Sequence, residues 1–79
     1  MDRESCRKEI AWYNKGVYLG YLSKYNEAID AFNNAIAINP QDANAWNAKG
    51  NALTNLRKDD EAIKAYDNAI SIDSQFASA

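Results

Sequence analysis

A repeat with a period of 34 residues constrains the fold of this chain more than any other feature of its sequence. A shift by that number places Trp12 on Trp46 and Gly16 on Gly50. The same shift aligns further apolar residues, namely Leu19 with Leu53, Ala28 with Ala62, Ala35 with Ala69 and Ile36 with Ile70. A repeat of this length is one supersecondary unit that cannot bury its apolar face alone. We therefore expect function to lie in surfaces that the stacking of repeats creates.

The apolar residues within each repeat recur close to the 3.6-residue period of an α-helix. This pattern predicts helices at about residues 9–22, 26–39, 43–56 and 60–73. Asn26, Asp42 and Asp60 stand where side chains cap the second, third and fourth helices. Pro40 ends the second helix, because the residue before a proline avoids helical geometry. Short turns between the helices predict two antiparallel helical hairpins.

The predicted organisation has four parts. Residues 1–8 form a charged helical extension, residues 9–42 the first repeat, residues 43–76 the second, and residues 77–79 a tail. Ser74 stands where the first repeat has Pro40, so nothing in that stretch forces the fourth helix to stop at Asp73. A longer helix and a frayed tail both remain open. Gly16 and Gly50 lie inside predicted helices, which indicates that a neighbouring helix approaches closely at both positions.

Composition excludes several classes of partner. The chain has 79 residues and a net charge of -2, and its Lys and Arg residues are scattered. A nucleic-acid binder or a protein held at an anionic membrane would need a basic surface, so we expect neither. No apolar run approaches the length that spans a bilayer, and the charged N-terminus does not resemble a signal peptide. These features predict a cytoplasmic protein, in which the single Cys6 forms no internal disulfide.

The sequence offers little for catalysis. It contains no histidine, no glycine-rich phosphate loop, and no nucleophile with an evident base. The consecutive acids Asp59, Asp60 and Glu61 do not converge on one ion when they lie on a helix. We therefore expect no enzymatic activity, no bound metal and no cofactor.

The chain resembles the tetratricopeptide repeat, a 34-residue helix-turn-helix unit with a pattern of Trp, Leu-Gly, Tyr, Ala, Phe, Ala and Pro. The matching residues of the first copy are Trp12, Gly16, Leu19, Ala28, Phe32, Ala35 and Pro40, and those of the second are Trp46, Gly50, Leu53, Ala62, Tyr66 and Ala69. Lys15 and Lys49 depart from the pattern, since leucine usually precedes the glycine. Ser23 and Arg57 also depart from it, at turns where glycine is frequent.

This resemblance implies an all-α fold, in which two tetratricopeptide hairpins stack as a short right-handed α-solenoid. It also implies a concave groove, lined by the first helix of each pair, that binds an extended peptide or a partner helix. The expected groove residues are Tyr13, Asn14, Val17, Tyr21, Asn44, Asn47, Asn51 and Asn55. The four asparagines share one helix face by their spacing. Their amides can pair with a peptide backbone, and the tyrosines supply broad contact area.

Self-association is the alternative reading of the same sequence. Two repeats are fewer than the roughly three that an independent array needs, so the fourth helix should expose apolar residues where a fifth would dock. The expected residues of that face are Ile63, Tyr66, Ile70 and Phe76. Such a face predicts a homodimer, formed by end-to-end stacking or by exchange of hairpins, or else a piece of a longer repeat array.

Overall fold

Four helices form the whole architecture of the part of the chain that the structure describes. The computed structural model describes the backbone of residues 3–77 and the side chains of residues 3–73. The helices are α1 (Arg3–Tyr21), α2 (Tyr25–Ile38), α3 (Ala43–Asn55) and α4 (Asp59–Ala77). α1 pairs with α2 and α3 with α4, and α2 packs against α3 to join the two hairpins. α1 reaches α3 at only a few residues, which leaves a groove between them.

The two hairpin turns have the same geometry. Ser23 and Arg57 adopt φ values of 63° and 62°, in the left-handed region that a residue after a helix often occupies. In the first turn the backbone amide of Lys24 donates to the carbonyl of Leu19 at 2.9 Å, and in the second Lys58 donates to Leu53 at 2.9 Å. Each of these carbonyls also accepts from an earlier amide, that of Leu22 or Leu56, so two hydrogen bonds converge on it and close the turn. The turn therefore forms without the glycine that the repeat pattern favours.

The predicted caps of α2 and α4 were each wrong by two residues. Lys24 precedes α2 and caps it with no side-chain hydrogen bond, so Asn26 lies inside the helix. α4 likewise begins at Asp59, and the amide of Ala62 donates to the carbonyl of Lys58. In both cases the tight turn before the helix brings the backbone into helical geometry one residue before the predicted start of the helix. Acids in the first turn of α4 still complement the positive end of the helix dipole.

The two interior glycines lie where a ring of the paired helix crosses the backbone. A Cβ atom built on Gly16 would lie 2.5 Å from Cε1 of Phe32, and one on Gly50 would lie 2.6 Å from Cε1 of Tyr66. Phe32 is only 3% exposed, and its ring lies 5.8 Å from that of Tyr13. The predicted close approach of a neighbouring helix is confirmed at both glycines. The group that approaches is the ring of Phe32 in the first hairpin and the ring of Tyr66 in the second.

The lysines that depart from the repeat pattern have a shared contact. The ammonium group of Lys15 lies 5.1 Å from the centre of the Trp12 ring, and that of Lys49 lies 5.1 Å from the Trp46 ring. A cation over an aromatic face is attracted by the electron density of the ring. Each lysine therefore covers the tryptophan one turn earlier while its charge stays at the surface.

The junction between the repeats is held by hydrogen bonds from α3 and the loop before it. The carboxylate of Asp42 accepts a hydrogen bond from the amide of Ala45 at 3.1 Å, which confirms the predicted cap of α3. The indole nitrogen of Trp46 donates to the carbonyl of Pro40 at 3.1 Å. The side chain of Asn39 donates to Glu9 of α1 at 3.2 Å. The loop is thereby tied to both hairpins.

The fourth helix continues beyond the end of the repeat. It runs to Ala77, with a non-helical residue at Asp73, where φ is -105° and ψ is 17°. The first repeat ends its helix at Ile38, two residues before Pro40. The replacement of proline by Ser74 therefore leads to a kinked extension instead of a stop. The predicted apolar role of Phe76 lies outside the described side chains.

Glu9 is the one buried charged side chain among the described residues, and it lies beside a second acid. Its pKa is raised above the ordinary value of 4.5. The hydrogen bond with the carboxyl group of Asp42 is the largest cause, and burial is the next. The bond from Asn39 acts in the opposite direction, while the charge of Asp42 raises the pKa further. Folding thus favours the protonated form of Glu9.

We expect Glu9→Gln to stabilise the protein at neutral pH relative to the unsubstituted chain. Because the folded pKa is raised, the native state binds more protons than the unfolded state between the two pKa values, and stability falls as pH rises through that window. The amide carries no charge and keeps an oxygen for Asn39. Thermal unfolding followed by circular dichroism should show an advantage for Glu9→Gln that grows as pH rises above about 4.5.

Glu4→Gln is the matched control for this prediction. Glu4 lies on the same helix, is well exposed, and contacts Lys8 at 3.6 Å. An exposed pair of this kind contributes little to stability. We expect a small difference from the unsubstituted chain at neutral pH, without the growing advantage of Glu9→Gln. The same pH profile for both variants would contradict the role given to the contact between Glu9 and Asp42.

Candidate interaction groove

An open groove of about 310 Å³ lies between α1 and α3. Its base is the ring of Phe32, which reaches it from α2 through the gap above Gly16. Gly20 lies one turn further along α1 and also lines the groove, and a Cβ atom there would have no neighbour within 4 Å. The two glycines therefore have different roles. Gly16 admits the ring that forms the base, whereas Gly20 leaves part of the groove open.

Five of the predicted groove residues line this space together. Those residues are Tyr13, Val17 and Tyr21 of α1 with Asn51 and Asn55 of α3. The structure adds residues that the sequence analysis did not select, namely Gly20, Tyr25, Ala48 and Ala52, as well as Gly16 and Phe32 at the base. Gly20, Ala48 and Ala52 could have been found by helical spacing, because each lies three or four residues from a selected position.

Three predicted groove residues do not line this cavity. Asn14, Asn44 and Asn47 are exposed and lie outside it. Asn44 and Asn47 share a helix face with Asn51 but lie in the first turns of α3, away from the aromatic base. Position along α3 therefore decides which asparagines line the cavity, and a shared helix face alone does not predict it.

The asparagines of the groove are held by local hydrogen bonds. The hydroxyl of Tyr66 donates to Oδ1 of Asn51, and the amide nitrogen of Asn55 donates to the backbone carbonyl of Asn51 at 2.9 Å. Thr54 donates to the carbonyl of Gly50 at 2.9 Å and lies 3.4 Å from the Tyr66 hydroxyl. Asn51 therefore has a preferred orientation, in which its carbonyl oxygen is used and its Nδ2 group is the remaining donor.

The groove is aromatic and carries no formal charge. None of the described residues that line it is Asp, Glu, Lys or Arg. Tyr21 is 83% exposed at the rim, while Tyr13 and Tyr25 are half-buried against the core. Apolar and aromatic walls with a few amide groups are typical of sites that bury an apolar side chain and orient a backbone.

The predicted self-association residues do not form a single exposed face. Ile63 and Ile70 are 56% and 59% exposed on α4. Tyr66 instead packs over Gly50 and among Leu53, Ala62 and Ala65, and its hydroxyl bonds to the groove. The prediction that Tyr66 belongs to an exposed face was wrong. Because Gly50 has no side chain, the Tyr66 ring packs over it, inside the second hairpin.

The sequence profile of the tetratricopeptide repeat matches residues 10–42 and 43–76, which together span most of the chain. The chain belongs to the tetratricopeptide-repeat family. Its fold is accordingly the stacked helical hairpins of that family, a short right-handed α-solenoid.

The tetratricopeptide chain is also similar to a protein of known structure, described as MamA. The two superpose with a TM-score of 0.80 at 26% sequence identity, over 89% of this chain and 38% of MamA. The chain thus spans less than half the length of that neighbour. A comparison with curated protein sequences finds no match. No helix in residues 3–77 is long and apolar enough to cross a membrane.

Proposed function

We propose that this tetratricopeptide protein is a non-enzymatic interaction module that binds an extended peptide or a partner helix in the groove between α1 and α3. The single observation that carries the proposal is the open aromatic cavity of about 310 Å³ at the junction of the two repeats. Tetratricopeptide repeats and a fold like that of MamA support a protein-interaction module in general. The groove between α1 and α3 is the surface to which we assign this interaction.

The chemistry of the groove favours an uncharged ligand segment with an aromatic or proline side chain. Phe32 and the surrounding tyrosines offer ring faces, against which such side chains pack well. Asn51 and Asn55 lie on the opposite wall and can donate to or accept from the ligand backbone. Because the lining has no charge, we expect affinity to change little between about 0.1 M and about 1 M salt.

The test begins with selection of a phage-displayed random peptide library on the unsubstituted protein. We expect the enriched peptides to be poor in charged residues and to carry aromatic residues or proline. One enriched peptide is then synthesised and titrated against variants by calorimetry. No enrichment, or enrichment of acidic or basic peptides, would contradict the ligand chemistry that the groove predicts.

Gly20→Leu is expected to weaken peptide binding by about tenfold or more, because the new side chain occupies the space where a Cβ meets no neighbour. Asn51→Ala should weaken it by several-fold through loss of the amide. Asn34→Ala is the matched control, since Asn34 is exposed on α2 and lies outside the groove. Unchanged affinity in Gly20→Leu would place the binding site elsewhere.

Two further variants separate the effects of the amides. Tyr66→Phe removes the hydroxyl that bonds to Asn51 and should reduce affinity less than Asn51→Ala does. Asn47→Ala tests whether the ligand extends beyond the cavity along α3. A loss in Asn47→Ala would lengthen the site towards the start of α3, and no loss would confine it to the cavity.

Self-association through α4 is a second candidate function, and a specific observation favours it. Ile63 and Ile70 are more than half exposed and lie two turns apart on one side of the helix. Apolar residues grouped in this way typically mark an interface. A concentration series in sedimentation velocity tests this candidate, and a mass that stays monomeric at the highest concentration would reject it.

A further inference from the structure

The contact between the two repeats shows how the second helix of one hairpin, α2, packs against the next hairpin, formed by α3 and α4. Ile29 of α2 packs against both apolar clusters, the one around Ala28 and Phe32 and the one formed by Leu53, Ala62 and Ala65. A cleft of about 450 Å³ follows this junction, with α2 on one side, α3 as its floor and α4 on the other. One wall of the cleft is thus the outer side of α2, the second helix of the first hairpin. The floor and the opposite wall belong to the second hairpin, formed by α3 and α4.

The two surfaces that meet at this junction each have an equivalent elsewhere in the described residues. The equivalent of the α2 surface lies on α4, and the equivalent of the second-hairpin surface lies on the first hairpin, and neither is covered by a helix in the described part of the chain. Ile63 of α4 corresponds to Ile29 by the 34-residue shift, and it is 56% exposed where Ile29 is half-buried. At the other end, an opening of about 300 Å³ is lined by Trp12, Lys15, Leu19, Glu27, Asp30 and Ala31. Trp12 and Leu19 are the equivalents of Trp46 and Leu53, the floor of the internal cleft.

We propose that a second copy of this chain docks head to tail, with Ile63 of one copy inserted against Trp12 and Leu19 of the next. This inference rests on the second candidate function and identifies the surface that receives α4. Each copy then repeats the step that relates its own two hairpins, so the solenoid continues from one chain to the next. The receiving surface is the open end of the first hairpin, distinct from α4 itself.

The charges of the cleft fit this arrangement. Asp30 of α2 and Lys64 of α4 line opposite walls of the internal cleft, and they are equivalent positions in the two repeats. In a head-to-tail contact, Lys64 takes the place of Asp30 on the docking helix. Asp30 of the next copy takes the place of Lys64 on the receiving hairpin. Each junction therefore contains one acid and one base at this position, with the two signs exchanged.

A contact between two different surfaces does not close on itself. A heterologous interface of this kind leaves one free docking face and one free receiving face at the ends of every assembly. The average mass should therefore rise with concentration beyond that of a dimer. A symmetric contact of α4 with α4 would instead stop at two copies, which makes the two arrangements distinguishable.

The test uses one variant for each surface. Ile63→Glu blocks the docking face at an exposed side chain outside both apolar clusters. Trp12→Glu blocks the receiving face, and Trp12 likewise lies outside both clusters. Each variant alone should be monomeric in sedimentation velocity. Because Ile63→Glu keeps its receiving face and Trp12→Glu keeps its docking face, an equimolar mixture should form a dimer with one copy of each and no larger species.

The possible outcomes separate this inference from the candidate on which it rests. Monomeric behaviour of the unsubstituted protein at every concentration would reject both. Loss of assembly in Ile63→Glu with full assembly in Trp12→Glu would reject the head-to-tail contact and retain a symmetric one through α4. Failure of the mixture to associate would also reject it. Circular dichroism checks that each variant keeps its helices, and Lys15→Glu replaces Trp12→Glu if the latter does not.

Discussion

Phe32→Ala is expected to cause a large loss of stability in this protein. Phe32 is 3% exposed and packs against Gly16, Tyr13 and the apolar cluster shared with Ala28 and Ala52. Truncation of a buried phenylalanine costs about 3–5 kcal/mol. A chain of this length has a total stability of about 4–12 kcal/mol. The variant should thus unfold at much lower urea concentration, as measured by circular dichroism.

The second repeat provides an internal comparison for this substitution. Tyr66 occupies the equivalent position over Gly50 but is half-buried, and its hydroxyl reaches the polar side chains of Asn51 and Thr54. Tyr66→Ala should cost less than Phe32→Ala, because less apolar surface was removed from water. A larger loss for Tyr66→Ala would contradict burial as the reason for the larger effect of Phe32→Ala.

Gly16→Ala and Gly20→Ala are expected to change stability in opposite directions although they lie one turn apart on the same helix. Alanine is favoured over glycine inside a helix by about 1 kcal/mol. At Gly20 that gain is free of any clash, so the free energy of unfolding should rise by about 0.5–1 kcal/mol. At Gly16 the methyl group would lie 2.5 Å from the buried ring of Phe32.

The outcome at Gly16 depends on whether the ring can move. Phe32 has little space, so we expect overpacking to cost about 1–3 kcal/mol and to exceed the gain in helix propensity. The net change at Gly16 should therefore be a loss. Urea denaturation of the two variants and the unsubstituted chain measures both signs in one experiment. A gain at Gly16 would show that the hairpin can open to admit a methyl group.

The helical periodicity of the sequence predicted the four helices well because each has one apolar side, set by its own residues. The ends were less well predicted. The sequence indicates a side-chain cap at Asn26, but the left-handed residue Ser23 brings the chain into the helix before that position. Local preference for a cap was outweighed by hydrogen bonds that close the turn, such as that from Lys24 to Leu19.

The groove was predictable only in part, for a physical reason that its residues show. Tyr13, Val17 and Tyr21 share a face of α1, and the period of the helix is enough to find them. Tyr25 belongs to the start of α2 and faces the same space only because the turn after Tyr21 is tight. No periodicity within one helix relates residues across a turn.

The fate of Tyr66 and Ile63 shows the same limit. Both lie on α4, three residues apart, and both looked available for a second copy. The ring of Tyr66 turns inward because Gly50 leaves space for it, whereas Ile63 has no glycine opposite it and stays 56% exposed. The difference depends on the crossing of α3 and α4, which the sequence of α4 does not contain.

The sequence by itself determined the repeat, the all-α fold and the family, because the period, the two glycines and the matching apolar residues recur at fixed spacing along one chain. The tertiary structure decided which residues meet across helices. It brought Phe32 beneath a groove, drew Tyr66 inside and left Ile63 and Trp12 at opposite ends. Spacing along a helix is set by local backbone geometry, but contact between helices is set by the volumes and the turns of several segments at once.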